Sequence, residues 1–160
     1  MEEINSTTQT FDGEVSFEQS RRKRIRIDGD DDRILLLNLS DLNIVVRMKE
    51  VYPQMSELSK KATKVKIEEL KDDDVSTMDK VAEIISELDS DMRGCMNYIF
   101  DAKVSEVCAP EGTMFDMFNG QFRYEIIIDE LSKLYASNVS LEYNKMRSRI
   151  QARARKYTGK

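Results

Sequence analysis

Hydrophobic and polar residues alternate with a period of two in the first part of the chain. In the stretch RRKRIRI, Ile25 and Ile27 alternate with arginines, and the continuous apolar run 34–37 follows shortly afterwards. Such alternation is typical of a half-buried strand, and a short apolar run bounded by turn residues is also compatible with one. The stretch FDGEVSF, residues 11–17, has similar strand character. The pattern therefore predicts short strands here.

An aspartate-rich stretch, DGDDD (28–32), separates the two apolar segments. Aspartate can bond its own backbone and glycine accepts positive φ, so the stretch predicts a β-hairpin with a slightly long loop. The alternating aspartates from Asp28 onward also resemble the start of a calcium-binding loop. That motif needs glycine at its sixth position and glutamate at its twelfth. Because Arg33 and Leu39 stand there, the hairpin turn is favoured over a metal site.

The next part of the chain, 41–70, has helical spacing. We predict Ser40 as the N-cap, with Asp41 in the first turn, where a negative charge suits the helix dipole. Pro53 marks a boundary or a kink. The predicted apolar face consists of Leu42, Val45, Val46, Met48 and Val51 and, beyond the proline, Met55, Leu58, Ala62, Val65 and Leu70.

After a break at KDDDVS (71–76), a longer helical pattern begins. Ser76 and Asp79 form an S-x-x-D capping signal before an apolar run. Apolar spacings of three and four then alternate along one face, which predicts a core helix of a bundle in preference to a short coiled-coil seam. This face consists of Met78, Val81, Ile85, Leu88, Met92, Cys95 and Ile99.

Residues 101–120 contain Pro110 and two glycines, and predict one short helical turn around Val104 to Cys108 and then an ordered loop. The loop is too apolar to be purely solvated. Its methionines and phenylalanines either fill the core, which we favour, or bind a partner, because clustered Met and Phe suit adaptable recognition. The candidate protein-binding residues of this loop are Met114, Phe115, Met117 and Phe118.

The last part of the chain, from Phe122 to Tyr157, predicts one long helix or two joined helices. Its buried face consists of Ile127, Leu131, Leu134 and Tyr135. All the elements together predict a mainly α-helical α+β fold, with an N-terminal β-hairpin followed by a small bundle of three or four helices. We predict a flexible leader at 1–10, a single helical domain at 11–143 and a basic C-terminal helix end or tail at 144–160.

Charge is distributed unevenly along the 160 residues. The net charge is −5, but from Tyr143 onward there are seven basic residues and no acidic ones, so that the rest carries 18 basic against 30 acidic residues, or −12. Little aromatic interleaving and an acidic body argue against nucleic acid. We favour contact with an acidic protein or a neighbouring subunit, or a frayed solvated tail. The candidate protein-binding arginines are Arg147, Arg149, Arg153 and Arg155.

Candidate chemistry is scarce. There is no histidine, which removes the commonest general base and metal ligand. Cys95 and Cys108 fit free thiols in a reducing cytoplasm, with Cys95 on the apolar helix face and Cys108 in the loop region, where exposure is an option. Carboxylate pairs such as Asp89 and Asp91 are predicted on solvated faces. We therefore predict no catalytic, cofactor-binding or metal residue and no enzyme. Neither a signal peptide nor a segment of about 18 apolar residues is present, so no membrane association is expected.

Three parts of the sequence together resemble the small tail assembly chaperones of long-tailed bacteriophages and prophages of Gram-positive bacteria. The first is a hairpin that leads into a helix through LNLSDLNIVVRMKE. The second is an amphipathic helix that ends in MNYIFDAKVSEVCAP and is followed by a glycine-containing loop. The third is a long last helix with a basic, KYTGK-like end. The resemblance covers residues 11–160, although the loop is longer and more apolar than the family pattern.

This resemblance implies a non-enzymatic protein of the host cytoplasm that binds the tape measure protein and helps the tail tube protein assemble around it. The binding surface is then expected on the Met114–Phe118 loop and on the helices that begin at Asp41 and Phe122, and a homo-oligomer is a further option. Two alternatives stay open. One is a structural phage component, such as a connector or minor tail protein, that is retained in the virion. The other is a nucleic-acid-associated accessory protein that uses the basic C-terminus.

Overall fold

A computed structural model describes residues 10–17, 22–65 and 75–158. The predicted class, mainly helical α+β with an N-terminal hairpin and three or four helices, is confirmed, with four helices in these ranges. In chain order the elements are β1 (Lys23–Ile27), β2 (Asp30–Leu37), α1 (Asn43–Thr63), α2 (Val75–Phe100), α3 (Val104–Cys108), β3 (Met117–Phe118), β4 (Gln121–Phe122) and α4 (Arg123–Thr158).

The hairpin of β1 and β2 has a tighter turn than predicted. Asp28 and Gly29 alone connect the two antiparallel strands, and their φ values of 54° and 69° are the positive angles that a two-residue type I′ turn requires. A register irregularity between Arg26 and Ile27 accompanies this turn. The prediction of a longer loop was wrong because Asp-Gly can close a hairpin by itself. Residues 30–32 therefore continue in the strand.

The strand expected at residues 11–17 is not formed. This segment has no regular secondary structure, and its large side chains, such as Phe11 and Val15, are exposed. A strand requires a neighbour for its backbone hydrogen bonds, and no strand within 22–65 or 75–158 pairs with these residues. The prediction was wrong because alternating apolar and polar residues indicate a segment that suits a strand. They do not provide the neighbouring strand with which it would pair.

Helices α1 and α2 pack in opposite directions. Near the start of α1, the Arg47 guanidinium donates a hydrogen bond of 2.8 Å to the Ile99 carbonyl, near the end of α2. One turn further along, the Tyr98 hydroxyl donates to Glu50. Arg47 also pairs with the half-buried Asp41 at 2.7 Å. Burial alone raises the pKa of Asp41, but hydrogen bonds from Arg47 and from a backbone N–H outweigh it and lower that pKa.

Three details of the α1 prediction were wrong. Ser40 is not the N-cap, because its backbone N–H binds the Asn38 side chain in a turn while the Asn43 N–H donates to Asp41 at 2.9 Å. Pro53 neither ends the helix nor lies at its boundary, since α1 continues to Thr63, so the boundary alternative was wrong and the kink alternative stays a prediction. The predicted apolar face starts in the wrong phase. Its members Leu42, Val45 and Val46 are exposed, whereas Ile44, Met55 and Leu58 are buried and Met48, Val51, Ala62 and Val65 are partly buried.

The predicted apolar face of α2 is confirmed from Val81 onward, where all its members are buried except the partly buried Ile85. Met78 is exposed. The capping signal at Ser76 was misplaced, because α2 already includes Val75. Predictions for residues 1–9, for Leu70 and for residues 71–74 lie outside the described residues.

Helix α4 is one continuous helix of 36 residues rather than two. Its first part packs on the core through buried side chains, and the predicted Leu134 is partly buried. The side chain of Asn138 donates a hydrogen bond of 3.1 Å to the Leu39 carbonyl. Every residue from 139 to 158 is exposed. These 20 residues, which we call the projecting segment, extend about 30 Å beyond the core.

A single hydrophobic cluster joins the hairpin, the helices and the loop. The face of β2 toward the helices, the α1–α2 seam, α3 and the first part of α4 all contribute to it. Its buried members are Leu35, Leu37, Ile44, Met55, Leu58, Leu88, Met92, Cys95, Met96, Ile99, Phe100, Val104, Ala109, Met114, Tyr124, Ile127, Leu131 and Tyr135.

The Tyr135 hydroxyl is buried in this core without a hydrogen-bond partner among the residues described. Burial raises the pKa of Tyr135 to about 12. An unsatisfied buried hydroxyl costs free energy, so Tyr135→Phe is expected to raise the free energy of unfolding by about 1 kcal/mol. Urea denaturation measures this change, with Tyr157→Phe at an exposed position as the unchanged control. A loss of stability in Tyr135→Phe would mean that the hydroxyl has a bound partner.

Candidate functional site

A half-buried ion pair on α2 organises the loop between α3 and β3. The Nε atom of Arg93 lies 2.9 Å from the Asp89 carboxylate. The guanidinium also donates to three backbone carbonyls of the segment 105–112, at 2.8–3.0 Å. The other carboxylate oxygen of Asp89 accepts a hydrogen bond of 2.7 Å from the Met114 backbone N–H. We call this pair with its bonds the loop clamp.

The sequence reasoning missed the loop clamp. Asp89 was predicted on a solvated face, which was wrong because its side chain is only 19% exposed and both its oxygens are bonded. A signal was present, since Asp89 and Arg93 have the i,i+4 spacing of a helical ion pair. That spacing does not tell which helix face the pair occupies, and Arg93 was not singled out.

The four apolar residues of the loop occupy three different environments. Met114 is completely buried in the core, so its side chain is not available to a partner. Phe115 is half-buried and packs edge-on against Phe122, with ring centroids 5.3 Å apart. Met117 is 67% exposed, and Phe118, 45% exposed, lies under the guanidinium of Arg123. The core-filling alternative is therefore confirmed for Met114, and partner binding by the exposed Met117 and Phe118 stays a prediction.

Beside this loop lies an open groove of about 680 Å³ between the end of α1, the middle of α2 and the β3–β4 hairpin. Its walls are mainly apolar, and two of the aromatic rings above line it. We call it the aromatic groove, and its lining residues are Ala62, Thr63, Val65, Ile85, Leu88, Thr113, Phe115, Asp116, Met117 and Phe122.

The projecting segment of α4 forms a second exposed surface. Its apolar side chains repeat at spacings of four and three along one face, which we call the apolar stripe: Val139, Tyr143, Met146 and Ile150. Of the predicted arginines, Arg149 and Arg153 border this stripe on one side, as follows from 3.6 residues per turn. Arg147 lies on the other side and stacks on Tyr143, while Arg155 faces away from the stripe. The structure does not bring these arginines to the loop residues.

The two cysteines are poor nucleophiles. Cys95 is buried and Cys108 is partly buried, which corrects the exposed alternative for Cys108. Burial raises the pKa of both thiols, and that of Cys108 reaches about 11. Both side chains are therefore protonated at neutral pH. Because the thiolate is the reactive form of cysteine, neither side chain is an effective nucleophile.

Two of the four hairpin aspartates pair with arginines. Asp28 pairs with Arg33, and Asp31 pairs with Arg26, each at 2.9 Å. Within 10–17, 22–65 and 75–158, no three His, Cys, Asp or Glu side chains are arranged to hold a metal ion. In the same ranges, none of the helices has the length and apolar character needed to cross a bilayer.

No protein-family model, curated protein or solved structure matches this chain. The features of the molecule itself therefore define what it is: a mainly helical α+β protein with an open aromatic groove and a projecting basic helix. The resemblance to tail assembly chaperones stays a prediction.

Proposed function

We propose that this protein is a non-enzymatic tail assembly chaperone of the host cytoplasm, which binds apolar helices of a tape measure protein while tail tube subunits assemble. The observation that carries the proposal is the aromatic groove, an open apolar surface of about 680 Å³ in a chain that is otherwise rich in charge. The layout of hairpin, amphipathic helix, loop and long last helix adds the phage context by resemblance.

The groove suits an amphipathic helix better than an extended peptide. Helical residues line one side of it, at the end of α1 and in the middle of α2, and the loop side chains Phe115 and Met117 form its rim. An amphipathic helix places apolar anchors at i, i+3, i+4 and i+7 into such a groove. Unbranched methionine adapts to different side chains, which suits a protein that must hold many similar segments of a long partner.

The rim is held in position by the loop clamp. Asp89 fixes the backbone N–H of Met114, and the buried Met114 side chain anchors the loop on the core. Phe115 is thereby kept against Phe122 and Tyr124, with centroid distances of 5.3 and 5.8 Å. A preformed rim lowers the conformational entropy lost on binding. The groove can therefore bind a helix without first ordering its own side chains.

The test is co-expression with the tape measure protein encoded in the same phage genome, measuring the soluble fraction of that partner. Met117→Asp places a charge in the groove rim at an exposed position and is expected to weaken binding at least about tenfold, because a charged group is costly to bury. Leu141→Asp, a matched change at a position with 61% exposure on α4, is the control and should behave like the unaltered chain.

Two outcomes would overturn the proposal. If the unaltered chain leaves the partner as insoluble as before, the chaperone function is wrong. If Met117→Asp retains full activity, the groove is not the binding surface. The alternative function, a structural component of the tail, is decided by mass spectrometry of purified particles, since a chaperone is expected to be absent from them.

A further inference from the structure

An exposed row of four carboxylates runs along α2. Asp79, Glu83, Glu87 and Asp91 follow one another at i,i+4 spacing, and all four are exposed. Among the described residues, none of them forms a salt bridge. Like charges at this spacing repel one another on a helix. This acidic row is therefore a surface that a complementary row of cations would stabilise.

The projecting segment of α4 carries such a row. Lys145, Arg149 and Arg153 have the same i,i+4 spacing, so their charges repeat about 6 Å apart along the helix axis, as in the acidic row. Lys145 has an exposed contact to Glu142 at 3.3 Å, whereas neither arginine forms a salt bridge with any residue the structure describes. We call these three residues the basic row.

An apolar surface accompanies each of the two rows. The apolar stripe borders the basic row on α4. Next to the acidic row lies a groove of about 520 Å³ between α1 and α2, with Val81, Ile84 and Leu88 among its apolar lining residues. Ile84, one of these lining residues, is 47% exposed. Apolar contacts and ion pairs can therefore form side by side along the same two helices.

The charges of the groove walls also set an orientation. Glu87 and Asp91 line the α2 wall, whereas Lys61 and Lys64 line the α1 wall. A docked α4 helix must turn its basic row toward α2. The opposite border of its apolar stripe must then face α1. On that other border, Asn144 and Gln151 are uncharged, and the one arginine is stacked on Tyr143.

We propose that the projecting segment of one copy docks in this groove of a second copy, with the basic row along the acidic row. The contact is between copies, because residues 139–158 are all exposed and lie beyond the core of their own chain. Two copies that exchange these segments make the same contact twice, which closes a symmetric dimer. Pairing of two projecting segments with each other is disfavoured, since it brings their basic rows together.

The distribution of charge over the whole chain supports the same partner. The part before Tyr143 has a net charge of −12 and the part from Tyr143 onward has +7. Opposite net charges on two surfaces of one molecule favour association between copies, and they accelerate it at low ionic strength. The docking groove shares Val65 and Leu88 with the lining of the aromatic groove but none of its rim residues, and the proposal does not depend on the chaperone function.

Sedimentation velocity of the full chain tests the proposal by charge reversal. The unaltered chain is expected to sediment with about twice the monomer mass of 18.6 kDa at low salt. Arg149→Glu/Arg153→Glu and, separately, Glu87→Lys/Asp91→Lys are each expected to weaken the dimer at least about tenfold, because like charges then face each other. All four positions are exposed, so both variants should fold, which circular dichroism verifies.

Mixing the two variants provides the decisive measurement. In the mixture, each projecting segment finds a row of opposite charge on the other variant, so the dimer should return as a heterodimer. Arg24→Glu/Lys103→Glu reverses as many charges at exposed positions outside the contact and should leave the dimer intact. The proposal is wrong if the unaltered chain is a monomer, if reversal has no effect, or if mixing fails to restore the dimer. Retention on DNA that is lost only with Arg149→Glu/Arg153→Glu would instead assign the basic row to nucleic acid.

Discussion

Replacing Phe100 by alanine is expected to lower the free energy of unfolding by about 3–5 kcal/mol, the usual cost of deleting a buried phenylalanine ring. Phe100 is 1% exposed and occupies the last position of α2. Its ring lies 5.9 Å from that of Tyr135, between centroids, and so connects α2 with the first part of α4. The variant therefore leaves a cavity where two helices meet.

Urea denaturation followed by circular dichroism measures this loss. Phe11→Ala is the matched control, because the same ring is removed at a position with 83% exposure, and its effect should stay within about 0.5 kcal/mol. If both variants changed stability equally, Phe100 would not hold α4 on α2 and the described core would be wrong at that junction.

Phe100 also illustrates what the sequence pattern could not predict. The predicted face of α2 ended at Ile99, and it omitted the buried Met96 and Phe100. A single row of apolar residues, spaced three and four positions apart, describes the contact of a helix with one neighbouring helix. The last turns of α2 are covered by α1 and by other elements as well, since Phe100 contacts α4 and Asn97 binds the backbone N–H of Ser105. The wider buried arc follows from this tertiary packing.

Local chemistry explains which elements were predictable. The hairpin at 23–37 was predictable from the sequence, because the alternation and the Asp-Gly turn both lie within a few residues. The strand predicted at 11–17 does not form, because a strand needs a neighbour to pair with and a local pattern carries no information on one. The start of α1 was misphased because Leu42, Val45 and Val46 are apolar yet exposed, so the chain has more apolar positions there than its core buries.

The candidate site was predictable in composition but not in arrangement. Clustered Met and Phe identified the loop, and the structure separates a core residue, Met114, from the groove rim at Phe115 and Met117. A hydrogen bond between residues 25 positions apart, from the Met114 N–H to Asp89, accompanies this separation. No periodicity reports such a contact. The acidic and basic rows, by contrast, are visible in the sequence once their helices are known.

Replacing Arg93 by alanine is expected to cost about 3 kcal/mol and to release the loop. The variant removes the donor to three backbone carbonyls and leaves Asp89 without its cation. Breaking a fully buried pair costs about 3–5 kcal/mol, and the lower end applies because the Arg93 side chain is 23% exposed. Arg93→Lys keeps the charge but cannot reach three carbonyls at once. Its free energy of unfolding should therefore lie between those of the unaltered chain and Arg93→Ala.

Hydrogen exchange separates a local effect from general destabilisation. The Met114 amide donates to Asp89, so its protection should fall in Arg93→Ala more than that of amides in the middle of α2. Arg155→Ala, on the exposed end of α4, is the control without effect. Since the loop clamp positions Phe115 and Met117, the folded Arg93→Ala chain should also lose the helix binding that we propose for the aromatic groove. Unchanged protection of Met114 together with unchanged stability would mean that the core alone orders the loop.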